Sequence, residues 1–462
     1  MIFSSLIFLL YFLPAFFFLY WVFPEKYRNF ALLAGSAVFY GYGAPERLVP
    51  ILVLTVVNFW LGLAFGRKIG PIGEESGENG GGKKSRHIKP KLILSVGVAF
   101  NVGALVYFRM RQVSLPGISF YTFTMIAYLA DVYRKKIPRE VRLSHLTTYA
   151  VMFPKMLCGP ITRYGELKAE VSERKFDANT VQEGLGLFIL GLTYKVLLAD
   201  RIGYLWNQVH TIGYENLSTP YAWLAAVAYS MQIYLDFQGY SLMAVGLGRM
   251  LGFHLPENFH EPYMATGIRD FYRRWHMTLG GWFRDYVYIP LGGSRKGRLR
   301  TVVNLFAVWL LTSLWHGFGI NFLMWGGLLW LFIVWERFWV GTKLAQKLKG
   351  LRFLVHPYVW AVIPVTWVCF AITDPVELYT YLGRMFGVVP GVNVKATDWL
   401  RAIDMYRYQL IACLVACTPV VRILYGKLKE TIVCKLALAM AFWFCVWRLS
   451  LAGNNPFMYL NF

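Results

Sequence analysis

At 462 residues the chain is long enough for two or three soluble domains, but its composition excludes that reading: 57% of residues are hydrophobic, 18% aromatic and 16% charged. Apolar runs recur from end to end, and a hydrocarbon core of ~30 Å takes about 20 helical residues at ~1.5 Å each, so the pattern is that of an all-α polytopic membrane protein. The net charge of +22 speaks against nucleic acid by its distribution, because Lys and Arg fall in loops between apolar spans, where membrane lipid is the better partner.

The first run, "IFSSLIFLLYFLPAFFFLYWVF" (2–23), has no basic stretch ahead of it and no small-x-small cleavage site before Pro24-Glu25-Lys26. It is expected to be a retained first helix rather than a removed signal. Further membrane helices are expected at 28–43, 47–66, 91–108, 115–132, 181–200, 221–252 (as two pieces), 301–315, 319–339, 357–373, 407–425 and 431–450. That makes roughly eleven to thirteen in a single domain over 1–462, and the short ones, such as 28–43 and 301–315, suggest tilted or re-entrant helices shielded by their neighbours.

Between the third and fourth spans, Arg67 to Lys91 carries Gly80-Gly81-Gly82, three glutamates and seven basic residues. It reads as a flexible cytoplasmic loop. Its "GENGGGKK" is not a phosphate-binding loop: Lys84 stands where Ser or Thr is required, and neither the strand before it nor the helix after it is evident. If this loop is cytoplasmic after three crossings, the N-terminus is outside. The basic blocks 133–155 (Arg134, Lys135, Lys136, Arg139, Arg142, Lys155) and 343–352 (Lys343, Lys347, Lys349, Arg352) then fall inside on the same count. Six cysteines lie in apolar runs without CxxC pairing, so neither a structural disulfide nor a zinc site is expected.

From Arg269 to Arg300 eight basic residues face two acidic ones, with Phe271, Tyr272, Trp275, Trp282, Phe283, Tyr286 and Tyr288 interleaved. Apolar residues at 3- and 4-residue spacing make 268–289 an amphipathic helix at the cytoplasmic interface. The chain is then apolar through "TVVNLFAVWLLTSLWHGFGINFLMWGGLLWLFIVW", with basic residues on both flanks. This is a hairpin whose break is Trp315-His316-Gly317-Phe318-Gly319. The 14 residues from Val302 to Trp315 rise about 21 Å, less than the ~30 Å core, which leaves His316 deep in the bilayer. A polar side chain there lines a cavity or has a partner, and a satisfied core histidine is the plain alternative. With no G-x-S-x-G elbow and no H-E-x-x-H cluster, the chemistry left is a buried neutral imidazole acting as general base.

"DFYRRWHMTLGGWFRDYVYIPLGG" followed by "LLTSLWHGFGINFLMWGGL" resembles the paired signature of the membrane-bound O-acyltransferase superfamily. Supporting stretches are "GISFYTFTMIAYLADVYR", "FPKMLCGPITRY", "MQIYLDFQGYSLMAVGLGRMLGFHLPENF" and "NNPFMYLNF". The likeness is to its bacterial branch, which acylates alginate, peptidoglycan and teichoic acid. It implies helices around a central tunnel in the bacterial cytoplasmic (inner) membrane, with His316 as the catalytic histidine and His276 as the second signature position. It further implies no tightly bound cofactor and no metal, a cytoplasmic acyl thioester donor (acetyl-CoA or carrier-protein-linked), an exported polysaccharide acceptor and an extracytoplasmic acyl-transfer partner protein. Around this pair, Arg273 or Arg274 is expected to help His276 bind the donor or stabilise negative charge. Trp315, Asn304 and Asp236 are expected as supporting groups, with a helix-packing hydrogen bond as the alternative for the last two. A covalent acyl-histidine route stays open. So do D-alanyl transfer to teichoic acid and two non-enzymatic readings, a glycan or lipid precursor transporter and a scaffold for polysaccharide export.

Overall fold

The computed structural model describes residues 1–65, 89–111, 115–174, 177–340, 355–452 and Met458, and every regular element among them is helical. The Arg67–Lys91 loop, save its last three residues, the Lys343–Arg352 block and the terminal "NNPFMYLNF", save Met458, lie outside the described residues. The N-terminal part holds α1 (Leu13–Val22), α2 (Arg28–Gly41), α3 (Leu48–Ala64), α4 (Pro90–Met110) and α5 (Ile118–Tyr133), then the short α6 (Leu143–Val151), α7 (Phe153–Met156) and α8 (Tyr164–Ser172). The middle holds α9 (Ala178–Thr193), α10 (Asp200–Ile212), α11 (Thr219–Met250), α12 (Ile268–Arg274), α13 (Met277–Phe283), α14 (Arg298–His316) and α15 (Ile320–Trp335). The last group is α16 (Val355–Ala371), α17 (Pro375–Met385), α18 (Asp398–Ala416), α19 (Val420–Leu428) and α20 (Ile432–Ala452).

Among the described residues three helices are long and apolar enough to cross a membrane, over Pro45–Ala64, Pro90–Met110 and Ile432–Leu451; α18 and α19, bent by 71° at their junction, qualify together as a fourth. The other expected spans are shorter or more polar helices held inside the bundle, so length and apolarity mark fewer crossings than the expected eleven to thirteen. The spanning windows of α4 and the last helix are only 17% buried, and such apolar faces need hydrocarbon around them. The expected two-piece span 221–252 is one 32-residue helix, α11, about 48 Å long and longer than the ~30 Å core. Its buried carboxylate, Asp236, does not break it because the π-helical turn Tyr194–Ala199 that follows α9 supplies a counter-charge. Asp236 pairs with Lys195 Nζ at 2.6 Å, and the same ammonium pairs with Asp200 at 2.7 Å.

Helices α9 and α11 meet along a glycine seam. A Cβ on Gly184 would sit 2.6 Å from the Gly246 carbonyl oxygen, and one on Gly191 would sit 2.4 Å from that of Gly239. The seven-residue spacing on both helices brings the backbones together twice, the close approach small residues permit in membrane bundles. Elsewhere, hydrogen bonds join loops that the charge pattern assigns to one face. Arg139 Nη1 donates to the carbonyls of Leu63 (2.9 Å) and Phe65 (3.1 Å) at the end of α3. Asn29 donates to Val171 O at 2.9 Å and Tyr20 to Leu251 O at 3.0 Å. The opposite face is tied by Ser218 to Asp398 and by Val392 N–H to Glu215 O.

Candidate active site

His316 is the last residue of α14 and is buried. Its imidazole sits in an aromatic cage, with ring centroids 4.4 Å from Trp315, 4.9 Å from Phe370 and 5.1 Å from Trp325. The hairpin closes tightly because α15 presents Gly326, where a Cβ would fall 1.9 Å from Ser313 Oγ and 3.1 Å from Trp309 O. Asn321, one residue into α15, donates to Phe370 O at 3.2 Å and ties the break to α16. His316 thus sits on a helix end braced from two sides.

The second histidine is placed by a feature that periodicity does not show. The expected amphipathic helix 268–289 is broken at His276, whose φ of 42° and ψ of 54° are left-handed. For a non-glycine residue such a conformation costs on the order of 1–3 kcal/mol and persists only where its surroundings over-determine it. Those surroundings are clear. Residues 251–263 fold back along α11: Phe259 stacks edge-on to Phe237 at 5.1 Å, and the Tyr263 hydroxyl donates to Ser230 O at 2.6 Å. This returning segment pairs with the break, His260 N–H donating to Arg274 O (3.0 Å) and Met277 N–H to Asn258 O (2.8 Å). Glu336, just beyond α15, accepts the first amides of α12, Ile268 at 2.5 Å and Arg269 at 2.9 Å. The apolar 3- and 4-residue spacing survives because α12 and α13 each keep a buried face.

His276 and His316, forty residues apart in sequence, line one cavity of about 240 Å³ with Tyr272, Trp309, Thr312, Trp325 and Trp367. Arg284 and Tyr288 also line it, and the Arg284 side chain is 63% exposed. His276 Nδ1 lies 3.1 Å from Asn258 Oδ1, whereas its Nε2 is buried with no partner among the described residues. A second cavity of about 260 Å³ lies between α9, α11 and α19, and Asn258 is part of its wall.

The supporting residues expected from sequence are mostly elsewhere. Arg273 is exposed, Arg274 pairs with Asp270 at 3.1 Å, and neither lines the cavity; the cation that does is Arg284, eight residues past His276. Arg273 and Arg274 end α12 just before the break and stand outside the cavity wall. Arg284 is held by Asp285 at 2.7 Å, and Asp285 also pairs with Arg163. Burial pushes the Asp285 carboxyl up, but Arg284, Arg163 and Lys136 together hold it below the usual carboxylate range. Asn304 donates to Gly293 O at 2.9 Å and sits twelve residues, about 18 Å of helix, from His316. It ties the loop before α14 to that helix. Asp236 belongs to the Lys195 ion cluster, with its other oxygen accepting Met458 N–H at 3.0 Å. Trp315 packs on His316 and between Phe120 and Phe123 without lining the cavity. Asn258, Arg284 and Thr312 were not singled out from sequence. For Asn258 the available signal was an amide in the aromatic, proline-flanked "LPENFHEP" directly after a long apolar run.

Among the described residues no group of three or more His, Cys, Asp and Glu side chains is placed to hold a metal ion, and no disulfide joins any of the six cysteines. Residues 134–373, which include both histidines, match the membrane-bound O-acyltransferase family. Over 426 residues the chain is 36% identical to the probable alginate O-acetylase AlgI of Pseudomonas fluorescens, covering 90% of this chain and 81% of that protein. It is 35% identical over 397 residues to the probable alginate O-acetylase of Pseudomonas aeruginosa (80% and 72% covered). It is also 35% identical over 258 residues to the peptidoglycan O-acetyltransferase of Helicobacter pylori (49% and 48% covered).

Proposed function

The chain belongs to the membrane-bound O-acyltransferase family, and from that premise we propose that it moves acetyl groups from a cytoplasmic thioester towards hydroxyls of an exported polysaccharide. The observation that carries this reading is the shared cavity: two buried imidazoles and one partly exposed arginine line the same space. The donor, acetyl-CoA or an acetylated carrier protein, is a co-substrate. Arg284 draws it to the mouth by its charge. His316 takes the acceptor hydroxyl proton as the oxygen bonds to the acyl carbon; the carbon–sulfur bond breaks and the proton passes to the leaving thiolate. His276 assists at the reacting groups, and Trp315 braces His316 through the cage.

The multi-pass chain sits in the bacterial inner membrane in this reading, with the basic loops facing the cytoplasm. The acyl group reaches the glycan directly or through an extracytoplasmic transfer protein. The test is deletion followed by analysis of ester-linked acyl groups on cell-envelope and secreted glycans. Loss of acetyl esters from one glycan, restored by wild-type protein and not by His316→Ala at equal abundance, is expected. Loss of D-alanyl esters instead would replace the acyl group, and unchanged esters would remove the reading.

A further inference from the structure

We propose that Asn258 is a positioning residue that holds His276 in the tautomer protonated on Nδ1, leaving Nε2 as the acceptor that His276 offers to substrate. This rests on the reading that His276 serves acyl transfer. Two backbone N–H groups that can only donate fix the directions of four hydrogen bonds around Asn258 and Thr278. Ile161 donates its N–H to Thr278 Oγ1 at 3.0 Å, so the Thr278 hydroxyl proton is free to go elsewhere. It goes to Asn258 Oδ1 at 2.7 Å. The Thr278 backbone N–H, which can only donate, meets the same atom at 3.3 Å. An atom that receives both is the amide oxygen and not the amide nitrogen, and an amide oxygen only accepts. His276 Nδ1, 3.1 Å from it, therefore carries the proton.

In a neutral imidazole the other nitrogen is then a bare acceptor. Nε2 is that nitrogen, buried and without a partner among the described residues, on a residue that lines the cavity shared with His316. The ring cannot turn to exchange its nitrogens cheaply. Phe237 is edge-on to it at 4.8 Å and Phe120 stacks on it at 6.2 Å, and the backbone on either side is pinned by the 258–260 segment. The chemical consequence is specific. Neutral His276 does not donate to a developing oxyanion; it accepts a hydrogen bond from an O–H or S–H group, the acceptor hydroxyl or the departing thiol. Of the two roles open from sequence, donor binding or charge stabilisation, the second is removed for the neutral ring.

The full chain in nanodiscs, labelled with ¹⁵N-histidine, tests the assignment, with the His276 signals identified by their loss in His276→Gln. Wild type and Asn258→Asp, which keeps an accepting oxygen, should show a protonated Nδ1 and an unprotonated Nε2. Asn258→Leu should show a mixture or the reverse. In cells at matched protein level, Asn258→Leu should lower acyl ester formation on the order of 10²-fold, the scale of losing a positioned acid–base group, and Asn258→Asp should restore most of it. The same Asn258→Leu change placed on His276→Ala should cost nothing further, because a residue acting through His276 has nothing left to position. Additive losses, or an Nε2-protonated ring in wild type, overturn the proposal. Full acylation by His276→Ala instead overturns the reading of His276 on which it rests, while the spectrum still reports whether Asn258 sets the tautomer.

Discussion

Buried Lys195 and Asp236 form one polar cluster with half-buried Asp200, His276 and His316 form another, and the two differ in what their polar atoms touch. In the first, one ammonium is shared by two carboxylates at 2.6 and 2.7 Å, and the second oxygen of Asp236 accepts a backbone N–H. In the second, the imidazoles line open space and one ring nitrogen has no protein partner among the described residues. An ionisable group at membrane depth is by default a functional candidate, and the comparison refines that rule. Charge neutralised within the bundle joins helices. Polarity left open to a cavity is available to a substrate.

The largest effect that can break this comparison is at His316. His316→Ala is expected to lower acyl transfer by ~10²–10⁴-fold, the usual cost of removing a general base, with abundance and membrane insertion near wild type. Ester content per unit of membrane-inserted protein is the measurement. A loss that only tracks reduced protein would move His316 into the structural class with Lys195.

Asp236→Ala should do the reverse. Removing one partner of a buried pair costs about 3–5 kcal/mol of stability, because it leaves charge uncompensated. Abundance and thermal stability in detergent should fall steeply, and the protein that remains folded should keep its activity. A stable variant that has lost transfer would return Asp236 to the reacting centre.

The helix break at His316 was legible in the sequence because the apolar run ends there on the glycines of "HGFG", and α14 and α15 do meet at that break. The hairpin and most helix positions were legible for the same reason, since period and length act locally. What was not legible depends on a partner distant in the chain. The span 221–252 was expected as two pieces, yet Lys195, in the π-helical turn after α9, neutralises Asp236 and the helix runs on. His276 sat in a good amphipathic pattern, yet the returning 258–260 segment captures its backbone neighbours and breaks the helix. The same break sets Arg284, and neither Arg273 nor Arg274, on the cavity wall, because it resets which residues share a face.

Arg284 sharpens the comparison at the cavity mouth. Arg284→Ala is expected to raise the KM for the thioester donor roughly tenfold with kcat little changed, the scale of one hydrogen bond to a charged group. Arg273→Ala should leave both parameters within about twofold, as befits an exposed side chain outside the cavity. Donor titrations on reconstituted protein measure both. The opposite ranking would restore the assignment by sequence neighbourhood.

The smallest effect expected is on stability against pH, and it comes from Asp285, the carboxylate that holds Arg284. Its carboxyl lies below the usual range in the folded protein because the guanidinium groups of Arg284 and Arg163 and the Lys136 ammonium outweigh its burial. A carboxyl depressed by folding stabilises the folded state above its unfolded value, about 3.9 for Asp, and that contribution is lost as pH falls through the folded value. Thermal melts of wild type should therefore be level at neutral pH and decline below about pH 4. Glu140 adds to the decline: burial pushes its carboxyl up, but Tyr164 and the amides of Arg142 and Val141 hold it low. Asp285→Asn should start less stable at neutral pH and fall less steeply on acidification, so that the two curves converge at low pH. Parallel curves would mean that Asp285 contributes nothing through its charge, and Arg284 would then owe its place at the mouth to packing alone.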